Sequence, residues 1–230
     1  MDNNLEYFLQ QATIKREQED YQGALNDYNQ IIQLESENES HYFHRGQIWM
    51  LIEDFPQAIK DFQQAIKLNP TEPSAYNFLG LTLELLEKIE EAIEAYTQGI
   101  EIQSVPEADK QILYGNRATA YDKINNLQAA LEDFNKAIEI NQKDVHPYHL
   151  LRGKIRRKLG DMHGAEADLN EADRIMRDSS SGQLSIGKMY DNLGMKKKAI
   201  EHYQKAAEIA AKDGDAVMQQ AMQKILQGFS

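Results

Sequence analysis

The chain of 230 residues has no cysteine, which excludes disulfide staples, thiolate nucleophiles and cysteine metal sites together. Five prolines, 13 glycines and an aromatic fraction of 8% leave little material for a turn-rich all-β design. Nowhere do 18 apolar residues run together, so no membrane span is expected. The opening residues, MDNNLEYFLQQ, lack the charged-then-apolar pattern of a secretory signal. These absences lead to the expectation of a cytoplasmic protein. No phosphate-binding loop, dinucleotide fingerprint or nucleophile elbow is present.

What the chain has in quantity is Ala, Leu, Ile, Gln, Glu and Lys, which favour helix. Its formal charge of −12 is unevenly spread. Residues 1–106 carry 6 Lys+Arg against 19 Asp+Glu, whereas the remainder carries 19 against 18. Such asymmetry is a statement about partners rather than about fold.

One pattern runs through the chain. YQGALNDYNQII (21–32), FPQAIKDFQQAI (55–66), IEEAIEAYTQGI (89–100) and LQAALEDFNKAI (127–138) share a template, with weaker copies at 162–173 and 196–207. The inner alanine falls at Ala24, Ala58, Ala92, Ala130, Ala165 and Ala199, at spacings of 34, 34, 38, 35 and 34. Four residues later stand Tyr28, Phe62, Tyr96, Phe134, Leu169 and Tyr203; twelve residues earlier stand Ala12, Gly46, Gly80, Ala118, Gly153 and Gly187. A small residue lets a neighbouring helix approach closely, and a ring fills the space beyond it. Between them the apolar residues recur at i, i+3, i+4 and i+7, the spacing of amphipathic helices.

On these residues the chain resembles the tetratricopeptide repeat family. The 34-residue period, the small residue at position 8, the alanine at 20 and the aromatic at 24 carry the resemblance. It implies an all-α, right-handed superhelical α-solenoid of helix–turn–helix units. The units read as 5–38, 39–72, 73–106, 111–144, 146–179 and 180–213, with a capping helix over 214–229, making residues 1–230 a single solenoid. The extra residues Glu107–Lys110 are expected to loosen the joint between units 3 and 4, and Ser179–Gly182 to form a turn and N-cap. The last helix should cover the exposed apolar end of the stack with Val217, Ala221, Ile225 and Phe229. Gln11 and Lys15 replace apolar residues in unit 1, as suits an end repeat.

A correlation inside the chain predicts ion pairs between the two helices of a unit. Position 7 is Arg45, Arg117 and Arg152 where position 23 is Asp61, Asp133 and Asp168; where position 7 is Leu79 or Ile186, position 23 is Ala95 or His202. The run HLLRGKIRRKLGD (149–161) packs five basic residues between Arg152 and Lys158. Arg152 is assigned to Asp168, and Arg156 to a polar core network with Glu166 and Asp173.

Candidate chemistry is sparse. His41–His44 and His146–His149 have H-x-x-H spacing but bring no third zinc ligand with them, so no metal and no cofactor is expected. No local triad stands out, and catalysis is not expected. The acidic balance disfavours nucleic acid, whose phosphates need broad positive potential.

The family resemblance implies a concave groove lined by positions 2, 5, 9, 12 and 13 of each first helix. There the chain places Phe43, Met50, Leu51, Leu81 and Leu85, with Asn77 and Glu84, in units 2 and 3. Units 5 and 6 place Lys154, Arg157, Lys158 and Lys188, with Leu150 and Leu184. The expected partner is a protein or peptide with an apolar anchor and an acidic flank. The chaperone-binding members of the family use a Lys/Asn carboxylate clamp. This chain has Leu9/Thr13, Phe43/Gln47, Asn77/Leu81 and Gly115/Thr119 at the first clamp positions, and Pro147 and Leu151 follow Asn116. Recognition of the EEVD tail of Hsp70 or Hsp90 is therefore not expected. The competing reading is a self-assembling or structural subunit, a homo-oligomer joined through charge-complementary ends.

Overall fold

A computed structural model describes residues 2–140 and 145–229. Residues 141–144, where the sequence reading ends its fourth unit, lie outside the described part, as does the side chain of His146. Among the described residues there are thirteen α-helices and no strand. They fall into two compact units, Met1–Ile124 and Asn125–Ser230.

The first unit holds α1 (Asp2–Glu17), α2 (Tyr21–Leu34), α3 (Glu39–Leu51), α4 (Phe55–Leu68), α5 (Pro73–Leu85), α6 (Ile89–Glu101) and α7 (Glu107–Lys123). The second holds α8 (Leu127–Ile140), α9 (His146–Lys158), α10 (Met162–Ile175), α11 (Ser180–Asn192), α12 (Lys196–Asp213) and α13 (Ala216–Gln227). Odd-numbered helices up to α11 are first helices of a repeat and even-numbered ones second helices. The division between units thus falls inside the fourth repeat.

Each helix pair closes on the same contact. The position-20 alanines are at most 1% exposed, and beside them the position-24 ring lies against the small residue at position 8. A Cβ on Gly46 would stand 2.7 Å from Phe62, one on Gly187 would stand 2.7 Å from Tyr203, and one on Gly80 would collide with the Tyr96 ring. Gly153 faces Leu169 instead of a ring, and there the nearest atoms stay 3.4 Å away. Around these crossings, among the described residues, three cores form, two in the first unit and one in the second.

The turn between the helices of a pair is equally regular. Position 15 has positive φ in all six repeats: Glu19 (61°), Glu53 (60°), Glu87 (59°), Asn125 (59°), Gly160 (84°) and Gly194 (74°). The following residue caps the second helix in most of them. Asp20, Asp54 and Asp161 accept from the backbone N–H of Gly23, Gln57 and Gly164 at 2.9, 3.3 and 2.8 Å, the usual N-terminal device. Lys88 and Met195 make no such bond.

Two expectations need correction. Glu107–Lys110 do not loosen a joint: they form the first turn of α7, which runs for 17 residues, because four extra residues with no glycine among them extend a helix at little cost. The apolar stripe of α13 is only partly the expected one: Ile225 and Phe229 pack as expected, whereas Val217 and Ala221 are exposed. Val217 is 81% exposed, whereas Met222 is fully buried and Met218, Ile225, Leu226 and Phe229 pack with it on the core of the second unit. Phe229 meets the Tyr203 ring at 5.8 Å. Methionine's unbranched side chain fills that irregular end surface, which the β-branched Val217 does not reach.

A glutamate at positive φ is strained where glycine is not. Glu53→Gly and Glu87→Gly should each raise stability by about 0.5–1 kcal/mol, read as higher urea midpoints with an unchanged slope.

Candidate functional site

Two kinds of polar side chain leave the repeat core: those that tie helices together and those that reach solvent. The ties come first, because they remove residues from any binding role.

Arg45 on α3 reaches Asp61 on α4 through Nε–Oδ2 at 2.7 Å and Nη2–Oδ1 at 2.6 Å. Its remaining nitrogen, Nη1, donates to Asn29 Oδ1 of the preceding repeat at 2.8 Å. Arg152 on α9 repeats this geometry, with Nη2 2.6 Å from Asp168 Oδ1 and Nη1 2.8 Å from Asn135 Oδ1. Arg117 Nη1 donates to Thr97 Oγ1 at 2.9 Å. Arg117 and Asp133 belong to different units, so their pairing stays an expectation.

The partner behind each arginine was not found from the sequence. Asn29, Thr97 and Asn135 all occupy position 25 of the preceding repeat, and their shared polarity there was the available signal. Each position-7 arginine therefore reaches back to the preceding repeat, and the planar forks of Arg45 and Arg152 engage partners on two sides. Repeat 1 solves the same problem differently: Lys15, at position 11, lies 2.6 Å from Asp27.

Arg156 also sits at position 11, and it too turns to the position-23 carboxylate. Its Nη1 is 2.9 Å from Asp168 Oδ2. Asp168 is 2% exposed and is also met by His149 Nδ1 at 3.2 Å. Burial alone would push Asp168 upward, but His149, Arg152 and Arg156 hold its carboxyl below the usual aspartate range. The network proposed for Arg156 with Glu166 and Asp173 is therefore centred on Asp168 instead. Glu166 pairs with Lys198 of the next repeat. Asp173 accepts from Gln183 at 2.7 Å and lies 3.4 Å from Lys205. A longer arginine stem on α9 bends toward α10, while Glu166 and Asp173 lie on the face of α10 that meets the next repeat.

The last of these polar joints contains a histidine. Gln183, fully buried, links Asp173 to His202, whose Nδ1 is 2.8 Å from Gln183 Oε1. His202 stacks on the Tyr190 ring at 5.1 Å, and the Tyr190 hydroxyl donates to Asn170 at 2.9 Å. Burial lowers the His202 pKa despite the opposing pull of Asp173, with Lys205 and Lys198 adding to the lowering and Glu201 opposing it. Burial, with Glu166, Asp173 and Glu201 nearby, pushes the Tyr190 phenol up to about 12.

Of the two histidine spacings only His41–His44 has both side chains described, and its rings turn to different partners. His41 turns to Glu35 at 3.0 Å and His44 to Gln47 at 3.1 Å. Among the described residues no group of three His, Asp or Glu could hold an ion.

The candidate surface is drawn from the first helices. In the first unit Phe43 is half-buried, 5.2 Å from Phe78 and 5.9 Å from Phe62, and Met50 packs on the same core. Leu81 is half-buried. Leu51 and Leu85 are 55% and 57% exposed. Asn77 accepts from Asn116 Nδ2 at 2.7 Å and lines, with Pro73, Phe78, Asp109 and Ile112, a cavity of 160 Å³. A neighbouring cavity of 210 Å³ is lined by Glu39, Phe43, His44, Ala65 and Glu72. Glu84 is a tie rather than a lining residue: it accepts from the Tyr96 hydroxyl at 2.6 Å and lies 2.7 Å from Lys123.

In the second unit Lys158 and Lys188 are exposed and Lys154 is half-buried. Arg157 Nη1 donates to the backbone carbonyl of Asn192 at 3.3 Å. It thus satisfies the C-terminal end of α11, where a cation is favoured. Leu150 and Leu184 pack on the core of that unit.

Paired antiparallel helices recurring at this period define an α-helical repeat protein of the solenoid class. Two tetratricopeptide repeat models match the sequence, one over residues 41–72 and 112–144, the other over 73–105 and 181–213. Together they cover more than half of the chain, and it belongs to the tetratricopeptide repeat family. Solved structures share the fold. PilW, a widely conserved type IV pilus biogenesis factor, is 16% identical, with a TM-score of 0.74 over 96% of this chain and 99% of its own. PilF of Pseudomonas aeruginosa is 11% identical, with a TM-score of 0.71 over 97% and 98%. YrrB, described as a TPR protein with an unusual peptide-binding site, is 17% identical, with a TM-score of 0.59 over 86% and 97%. No described helix is long and apolar enough to cross a membrane.

Asp168→Asn should cost about 3–5 kcal/mol, because it leaves two guanidinium groups without their carboxylate; urea unfolding of the variant measures it. A second expectation concerns pH. His202 has a folded-state pKa below its unfolded value near 6.5, so its contribution is complete above that pH. It is lost as the pH falls from there toward the folded pKa. His202→Gln should therefore flatten the dependence of the melting temperature on pH between neutral and mildly acidic conditions.

Proposed function

We propose that this protein is a non-catalytic interaction scaffold that binds a partner segment along its first helices. The reading rests on one observation: the first-helix positions divide by polarity. In the first unit they offer Phe43, Leu51, Leu81 and Leu85, half-buried or exposed, and in the second they offer the cations Lys158 and Lys188 at the surface. A partner supplying an apolar anchor to the first and acidic residues to the second is complementary to both. Its family and the peptide-binding site described for YrrB support this class of role.

Arg157 and the half-buried Met50 serve structure as well as surface, so they are poor test positions. Lys158→Glu with Lys188→Glu alters exposed charge and should leave the helical signal intact. In a peptide-display selection against the full chain, enriched sequences should combine an aliphatic or aromatic residue with Asp or Glu. The double variant should lose the enrichment of Asp and Glu. Identical enrichment for both proteins would reject the basic part of the site.

A further inference from the structure

Position 13 ends the first helix of each repeat, and the chain contains its own control for what that position needs. Repeats 1, 4, 5 and 6 place Glu17, Lys123, Lys158 and Asn192 there, all exposed and polar. Repeats 2 and 3 place Leu51 and Leu85, 55% and 57% exposed. The fold therefore does not require a leucine at this site. The next residues, Ile52 and Leu86, are 38% and 36% exposed, so each of two successive repeats ends its first helix in a pair of accessible large aliphatic side chains. Contiguous exposed apolar surface of this kind marks a contact site.

Carboxylates flank this ridge. Glu53 and Glu87 follow directly, both exposed, and among the described residues neither forms an ion pair. The two nearby lysines are already engaged: Lys88 lies 3.0 Å from Glu91, and Lys123 lies 2.7 Å from Glu84. Both glutamates sit at positive φ, as does Glu19 of repeat 1, where later repeats carry Asn125, Gly160 and Gly194. Helices α3 and α5 touch, and helices in contact lie about 8–10 Å apart. That distance is close to two turns of another α-helix, the interval at which a partner's leucines at i and i+7 recur.

We propose that the Leu51–Leu85 ridge docks an amphipathic helix whose apolar stripe is flanked by lysine or arginine. The inference rests on the scaffold reading and specifies the partner's chemistry where it meets the first unit. Apolar burial supplies the attraction, and the rim carboxylates select basic flanks.

The test uses the full chain and a fluorescein-labelled amphipathic helix of about 18 residues built from Leu and Lys, with a Leu/Glu helix of the same pattern as comparison. Fluorescence anisotropy should show the Leu/Lys helix binding and the Leu/Glu helix failing to bind. Leu51→Asn with Leu85→Asn preserves net charge and uses a residue this chain already tolerates at Asn192. It should weaken binding by about tenfold or more with an unchanged circular dichroism spectrum. Glu53→Gly with Glu87→Gly should weaken binding and flatten its salt dependence while raising the urea midpoint, which separates loss of binding from loss of fold. Equal binding by the wild type and the leucine double variant, or preference for the Leu/Glu helix, overturns the assignment. So does a concentration-dependent dimer of the chain alone that the leucine variant abolishes, since a second copy would then occupy the ridge. Failure of the Lys158/Lys188 selection leaves this assay unaffected, because the ridge lies wholly in the first unit.

Discussion

The structure depends on how closely two helices can cross. At Gly46, Gly80 and Gly187 the backbone of a first helix lies so near the Phe62, Tyr96 and Tyr203 rings that no Cβ fits without movement. That approach seals a ring of large apolar area inside each pair and buries the neighbouring position-20 alanine. A single helix pair of this size cannot bury its own outer faces, so its second helix must also serve as the floor for the next repeat. Every other regularity in the chain follows from this shared use of one surface.

Polar side chains extend the same economy. A position-7 arginine is long enough to reach Asp at position 23 of its own repeat and the position-25 amide or hydroxyl of the repeat before. Arg45 and Arg152 do both. A buried ion pair need not add net stability over an apolar substitute. What the fork adds is geometric: a misregistered neighbour would leave a guanidinium nitrogen without its acceptor. Where Leu79 and Ile186 replace arginine, the joints are made by other means. In repeat 6 these are the buried Gln183 and His202; in repeat 3 they include the Glu84–Tyr96–Lys123 contact. The last repeats carry the more elaborate polar joints, and α13 closes their end with methionines.

Because the crossings and joints consume fixed positions, the remaining ones are free to vary between repeats. Position 13 illustrates this freedom, holding glutamate, leucine, leucine, lysine, lysine and asparagine in turn. Helix ends that contribute nothing to the core can carry recognition, and the fold holds them on rigid elements. Arg157 shows the opposite case. Although it belongs to the conspicuous basic run, it reaches a helix-end carbonyl, and its neighbours Arg152 and Arg156 serve Asp168.

The 34-residue spacing of alanines, the rings four residues later and the small residues twelve residues earlier were enough to read the repeat class from the sequence, because a helix crossing permits very few residue types. The Arg–Asp correlation was visible for a related reason: a buried charge demands a partner, and in repeats 2, 4 and 5 an arginine at position 7 accompanies an aspartate at position 23. Other features were settled only in three dimensions. Sequence spacing cannot say which way a long side chain bends, so the turn of Arg156 to Asp168, the position-25 acceptors and the buried face of α13 emerged only from packing. Nor can it separate half-buried Phe43 from exposed Leu51, since both lie on one helix face and only the neighbouring repeat decides which is covered. The sequence by itself determined the helix pairs and their crossings; the tertiary structure decided which side chains were left over for a partner, because exposure depends on the neighbours a residue acquires.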